Sequence, residues 1–186
     1  MVIAMKTLLN YTKLTLTAHI KSLGYPLHPF MLVGVRSKAD KPDSFDDKFY
    51  LITPKEFHGF DCTTNPGVSW LMKFMNPKGT AVLKQGWYWY KLGKHKDYEA
   101  LVQAAAVTVY RDSNKDTKSD EIAGTEETGF YGINIHRSLP DRLAKSVGLF
   151  SAGCTVIHNP ADFKLLIDTC KSSGLKQFPY YLISEF

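Results

Sequence analysis

The stretch "GWYWYKLGKH", residues 86–95, sets Trp87, Tyr88, Trp89 and Tyr90 in succession. Aromatics in series favour an extended strand, and along a strand successive side chains leave on opposite faces. Trp87 and Trp89 then share one side, Tyr88 and Tyr90 the other, and no single core can take all four. A chain holding this segment must either cover the strand on both sides or leave one aromatic face open. The N-terminal segment is one candidate cover. The alternative is a groove in which exposed rings stack on sugars or peptides, which makes Trp87 and Trp89 candidate substrate-binding residues. His95, just beyond, is read as a surface histidine within reach of such a substrate.

The rest of the chain supplies partners for that strand. "HPFMLVGVRS" (28–37) and "KFYLIT" (48–53) are apolar runs flanking a polar loop, and "TNPGVSWL", "GTAVLKQGWYWYKLG", "ALVQAAAVTVYRD" and "FYGINIHR" continue as strands punctuated by Gly and Pro. Residues 4–22 place Leu8, Leu9, Leu16 and Ile20 near a helical repeat that stops at Gly24 and Pro26. A second helix is expected over 160–174, with Asn159 as N-cap and Gly174 as its stop, before the closing strand "FPYYLISEF". At 186 residues and 44% hydrophobic content the chain can bury one real core. The expected fold is therefore α+β: mainly β, a mixed and mostly antiparallel sheet with a few helices. Residues 1–30 are expected to form a helical appendage packed on a domain of residues 31–186.

The net charge of +5 favours an anionic partner only in a general way. Lys38, Lys41, Lys55, Lys91, Lys94, Lys96 and Lys164 are scattered and no nucleic-acid motif accompanies them, so the reading is a solvated basic surface and no nucleic-acid partner. No stretch reaches the length of a membrane span. Lys6 and Lys13 interrupt the apolar start and no cleavage site follows, so the expectation is synthesis in the cytoplasm without a signal peptide. The three cysteines, Cys62, Cys154 and Cys170, leave at least one thiol free and show no zinc-type spacing.

Cys154 stands apart because Ala152 and Gly153 leave room beside it. The turn Ser151-Ala152-Gly153-Cys154 precedes "TVI" and a helix, where backbone amides can lower a thiol pKa and where the Gly153 and Cys154 amides can face an oxyanion. In "YGINIHR" Tyr131, Ile133 and Ile135 fall on one face, and Gly132, Asn134 and His136 on the other, so His136 points away from the core as a candidate base. His158 is a rival base whose place at a helix start turns it from the sulfur. The alternative for each thiol is a small buried hydrophobe; Cys170, in mid-helix, is read that way, and Cys62 fits either role.

His136 followed by Ser151-Ala152-Gly153-Cys154, with the cysteine eighteen residues on, resembles the signature of the L,D-transpeptidase catalytic domain, and "TTNPGVSWL" (63–71) resembles the turn that precedes its catalytic strands. The likeness spans roughly residues 48–170. The whole chain also resembles uncharacterised proteins of bacteriophages and gut bacteria. The first resemblance implies a barrel-like mixed sheet and a catalytic set of Cys154, His136, Ser151 and Gly153. Cys154 would attack the diamino-acid carbonyl of a peptidoglycan stem peptide, with no cofactor and with the chain acting as a monomer. Two positions depart from the pattern. Arg137 stands where the family has Gly, and Val156 where it has Arg, so Arg137 becomes a candidate substrate-binding residue and water is favoured over an amine acceptor. The product would then be a wall hydrolase of endolysin type, delivered or released to the cell wall by other means. The competing class is a non-catalytic wall-binding or virion structural module.

"RDSNKDTKSDE" (111–121) spaces Asp112, Asn114, Asp116 and Asp120 like the first half of a calcium loop. Thr117 and Ala123 occupy the places where an EF-hand needs Gly and Glu, so the expectation is an ordinary acidic turn with a short calcium loop as the weaker alternative.

Overall fold

The computed structural model describes residues 10–186; Leu8, Leu9 and the rest of the expected helix before residue 10 lie outside the described residues. The expected helix is shorter than its sequence reading: residues 10–12 are not helical, and α1 runs Lys13–Ser22, started by a capping box in which the extended Thr12 accepts from the Thr15 amide through its hydroxyl. Beyond it come β1 (Met31–Arg36), β2 (Asp47–Ile52) and β3 (Phe57–Thr63), then the short helix α2 (Val68–Met72). The strands β4 (Thr80–Leu83), β5 (Gly86–His95), β6 (Tyr98–Gln103), β7 (Val107–Asp112) and β8 (Glu127–Gly129) follow. Last are β9 (Ile135–Arg137), β10 (Thr155–Ile157), α3 (Pro160–Ser172) and β11 (Phe178–Ser184).

The expected α+β class holds, mainly β with helices, and the sheet closes. Strands β1, β11, β5, β6, β9, β10, β3 and β2 form a closed barrel in that order, while β4, β7 and β8 make a separate three-stranded sheet. Pairing is mostly antiparallel; β1 runs parallel to β11 and β9 parallel to β10. Leu32, Phe49, Leu51, Tyr90, Leu101, Ile135, Ile157, Phe178 and Tyr180 share one buried cluster. Ala81, Leu83, Val107 and Val109 of the small sheet, and Phe163, Leu166, Ile167 and Cys170 of α3, join the same cluster, so both elements cover the barrel contents.

A second cluster lies on the outer side of β1, β2 and β11, where Met31, Val33, Val35, Tyr50, Ile52, Tyr181 and Ile183 meet Leu16 and Ile20 of α1. The aromatic strand is covered on both sides only in part, since Trp89 joins neither cluster and lines a cleft. Tyr88 and Tyr90 belong with the barrel cluster, and Trp87 packs against the helix-covered one.

Two segments differ from their sequence reading. "TNPGVSWL" is not a strand: Gly67, in extended conformation, caps α2, and its carbonyl accepts from Trp70 and Leu71. "FYGINIHR" pairs in the barrel only over Ile135–Arg137, because Gly132 takes a left-handed φ of 70° that breaks the extended run. The α3 helix follows its signals, with the Asn159 side chain accepting from the Ala161 amide at 2.9 Å and Gly174 at a φ of 69°.

Candidate active site

Strands β9 and β10 lie side by side in parallel register, Ile135 opposite Thr155 and His136 opposite Val156. That pairing carries the Cys154 turn to the start of the strand that holds His136. The turn is closed by Ser151, whose Oγ donates to the Cys154 carbonyl at 2.8 Å and accepts from the Gly153 amide at 3.2 Å. Gly153 has a φ of 120°, and a Cβ there would stand 2.4 Å from the Ala81 carbonyl oxygen, so only glycine fits. Both residues position the thiol. The Gly153 amide, spent on Ser151, is not turned to an oxyanion as the sequence suggested. The Cys154 amide makes no hydrogen bond to another described residue.

Cys154 is 7% exposed. Its Sγ accepts from the Asn134 amide at 3.3 Å and donates to the Gly132 carbonyl at 3.4 Å. The sulfur is thus held by backbone groups that lie just before β9. The expectation of a thiol acidified at a helix start is corrected: β10 separates Cys154 from α3, and burial pushes its pKa up to about 11, partly opposed by the Asn134 amide.

His136 is 2% exposed although its side chain points away from the barrel contents. Three neighbours bury it. His95 stacks on it at 4.0 Å between ring centroids, the Tyr98 hydroxyl sits 3.2 Å from Nδ1, and the Arg137 carbonyl lies 2.8 Å from Nδ1. A carbonyl can only accept, so Nδ1 carries the proton and Nε2 keeps its lone pair. Nε2 is buried and has no hydrogen-bond partner among the described residues. Burial first, then His95, pushes the His136 pKa down to about 3, so the ring is neutral at physiological pH. Cys154 and His136 therefore rest as thiol and imidazole, with the sulfur's hydrogen bonds made to the backbone.

His95 is part of this cluster and not merely a surface group. The Asn134 side-chain amide donates to its Nδ1 at 3.1 Å, and burial lowers its pKa. Arg137 turns elsewhere: its guanidinium lies 4.1 Å from the centre of the Tyr98 ring and lines a cleft of about 620 Å³ between β9 and α3. Trp87 and Trp89 stand on β5 at the far end from His95, roughly 20–25 Å along an extended strand. Trp89 lines a separate cleft of about 580 Å³ with His28, Phe30 and Pro179, so neither tryptophan is brought to the thiol. His158 is also engaged elsewhere, its Nε2 2.8 Å from the Ala144 carbonyl and its ring stacked on Phe45.

Cys62 and Cys170 are both fully buried, with burial raising each thiol pKa. In the acidic loop the side chains serve the loop itself. Asp112 accepts from the Asp120 amide at 2.8 Å, Asp116 from the Lys118 amide at 2.7 Å, and the Asn114 side-chain amide donates to Asp116 and Asp120 at 3.2 and 2.5 Å. Among the described residues no group of three or more His, Cys, Asp or Glu converges to hold a metal ion.

Tyr98 and Asn134 were missed in the sequence. Tyr98 faces His95 across a two-residue turn in which Lys96 takes a φ of 58°. The alternating run "KHKDYE" could have suggested that hairpin. Comparison with family models, with curated proteins and with solved structures finds no match for the chain.

Proposed function

We propose that the chain is a cysteine enzyme of the L,D-transpeptidase type that attacks peptidoglycan stem peptides, with hydrolysis favoured over transfer to an amine. One observation carries the reading. His136 is a buried, neutral imidazole whose Nδ1 is pinned by the Arg137 carbonyl and whose Nε2 lone pair is unspent, on the strand that pairs beside Cys154. A base needs that tautomer, and a third group to fix it.

In this reading Cys154 changes rotamer, exchanging the Gly132 carbonyl for Nε2 as the acceptor of its S–H. The sulfur attacks the diamino-acid carbonyl while the proton passes to Nε2. The tetrahedral oxyanion takes the unspent Cys154 amide. His136 then returns the proton to the departing nitrogen of the terminal D-alanine, leaving a thioester. Water attacks the thioester with His136 again as base, releasing the shortened stem and restoring the thiol. The barrel with its capping helix is read as the L,D-transpeptidase type of fold, acting as a monomer on wall material.

The burial of Cys154 and its backbone-bonded sulfur favour a second reading, a wall-binding or virion structural module in which the thiol only packs. Incubation with purified disaccharide tetrapeptides, followed by mass spectrometry, separates the two. The enzyme yields the disaccharide tripeptide and free D-alanine, or dimers and exchanged stems if amines win; unchanged tetrapeptide leaves only the structural module.

A further inference from the structure

A cleft of about 160 Å³ opens beside the Cys154 turn, lined by Trp70, Asn76, Ala81, Arg111, Tyr131 and Ala152 among others. Arg111 is 5% exposed. Its Nε donates to Glu127 at 2.8 Å and its guanidinium lies 4.7 Å from the centre of the Tyr131 ring. The two terminal nitrogens, Nη1 and Nη2, make no hydrogen bond to any described residue. Neither nitrogen is among the buried side-chain atoms that lack a partner, so both reach open space, and the cleft that Arg111 lines is where they can accept a ligand. Glu127 does not neutralise the site by itself, since Lys78 also pairs with it. Arg111 and Lys78 against Glu127 leave one unit of positive charge at the cleft.

We propose that this cleft binds a carboxylate, the C-terminal carboxylate of a small-residue peptide, through Nη1 and Nη2 of Arg111. A planar fork matches a carboxylate with two parallel hydrogen bonds. The volume accommodates a small residue and excludes a nucleotide or sugar chain. Trp70, Ala81, Tyr131 and Ala152 supply apolar walls for its side chain. Gly79, also in the lining, brings the backbone so close that a Cβ there would stand 2.3 Å from the Asp112 carbonyl oxygen. The cleft touches the thiol's own loop at Ala152, and Tyr131 precedes the Gly132 carbonyl that holds the S–H. A peptide anchored by its end at Arg111 therefore lies against the turn that carries Cys154. That consequence rests on the cysteine reading; the anion site does not.

The test is calorimetric titration of the Cys154→Ala chain with N-acetyl-D-alanine, N-acetyl-L-alanine, N-acetyl-D-alaninamide and inorganic phosphate; the acetyl–alanine amide is of the kind Cys154 would attack, and the Ala variant leaves it whole. The acids are expected to bind roughly tenfold or more tighter than the amide, the difference two charge-assisted hydrogen bonds make. Arg111→Lys keeps the charge and the Glu127 partner but loses the fork, and should abolish that difference. Asn76→Asp keeps the side-chain oxygen that accepts from the Lys78 amide and adds a negative charge at the cleft, so it should weaken the acids and spare the amide. If Arg111→Lys does not fold, the acid-to-amide ratio and Asn76→Asp decide alone. Equal binding of acid and amide, phosphate binding as tightly as the acids, or no effect of Asn76→Asp overturns the proposal. Binding with these signatures and no turnover of tetrapeptides would keep the anion site and remove the enzyme.

Discussion

The outer face of β1, β2 and β11 and the seam between β9 and β10 solve the same problem differently. On the first, long strands are covered by α1, and polar groups are paired: the Tyr181 hydroxyl donates to the Pro26 carbonyl at 2.6 Å, and the Tyr50 hydroxyl accepts from the Tyr11 amide at 3.1 Å. On the second, two three-residue strands meet, a thiol takes the backbone amide just before one of them, and a buried imidazole keeps a nitrogen unpartnered among the described residues. Leaving a buried polar atom unmade costs free energy. Unpartnered buried side-chain atoms also occur at Asn65, Tyr90 and Ser119, but none lies on the α1-covered face among the described residues, so the seam bears one part of a cost that this face does not.

The largest effect is expected on the covered face. Leu16→Ala removes a fully buried side chain and should cost about 2–5 kcal/mol of stability in urea unfolding, while the native Cys154 thiol reacts with alkylating reagents at an unchanged rate. A matching change in Cys154 reactivity would show that the two regions are not independent.

His136→Phe should do the reverse, lowering tetrapeptide turnover by a factor on the order of 10² or more while leaving the fold intact. Its effect on stability has a defined sign. Folded His136 stays neutral down to about pH 3, whereas the unfolded imidazole takes up a proton below its ordinary 6.5, so His136 withdraws stability as pH falls through that window. Wild type should therefore lose stability relative to the Phe variant as pH drops from about 6.5 towards 4. Asp47 is common to both proteins and has the opposite sign. Burial raises its pKa to about 6, so its contribution is present in acid and lost as pH rises through that value. A wild-type-minus-variant difference that is flat with pH would place His136 in contact with solvent.

Cys170→Ser, in the covered helix α3, should cost roughly 1 kcal/mol or more by burying a hydroxyl among apolar neighbours, with turnover retained. Cys62→Ser should also retain turnover. Loss of activity in either folded variant would bring a second cysteine into the chemistry. The smallest effect is expected at the acidic loop, where the carboxylates of Asp112, Asp116 and Asp120 already serve loop amides. About 1 mM calcium should leave the melting temperature unchanged, and a clear rise would reveal a bound ion.

Much of the architecture was legible because it is local. The aromatic run at 87–90 demanded different surroundings on its two sides, and it has them: Tyr88 and Tyr90 join the barrel cluster, Trp87 packs against the α1-covered one and Trp89 lines a cleft; Asn159 and Gly174 marked α3 at both ends. A barrel-like sheet was expected only from the resemblance and not from residue spacing, since the closing pair, β1 with β11, joins segments far apart in the chain. At the candidate site, alternation in "YGINIHR" put His136 outside the barrel contents, but not its burial, which comes from His95 and Tyr98 on a different hairpin. The environment of the thiol was misjudged for the same reason: Asn134 and Gly132 reach the sulfur through sheet pairing, which no spacing near Cys154 announces. Arg111 carried no local signal.

The central claim is that Cys154 becomes acylated with His136 as its base. Wild type and Cys154→Ala are mixed with disaccharide tetrapeptide, quenched in acid within the first turnovers, and measured as intact protein and as peptides by mass spectrometry. The account predicts a disaccharide-tripeptide adduct on the peptide carrying Cys154 in wild type, with free D-alanine released, and neither adduct nor product in the Ala variant. D-alanine released undiminished by Cys154→Ala, or a wild-type chain that yields neither adduct nor D-alanine, would contradict it.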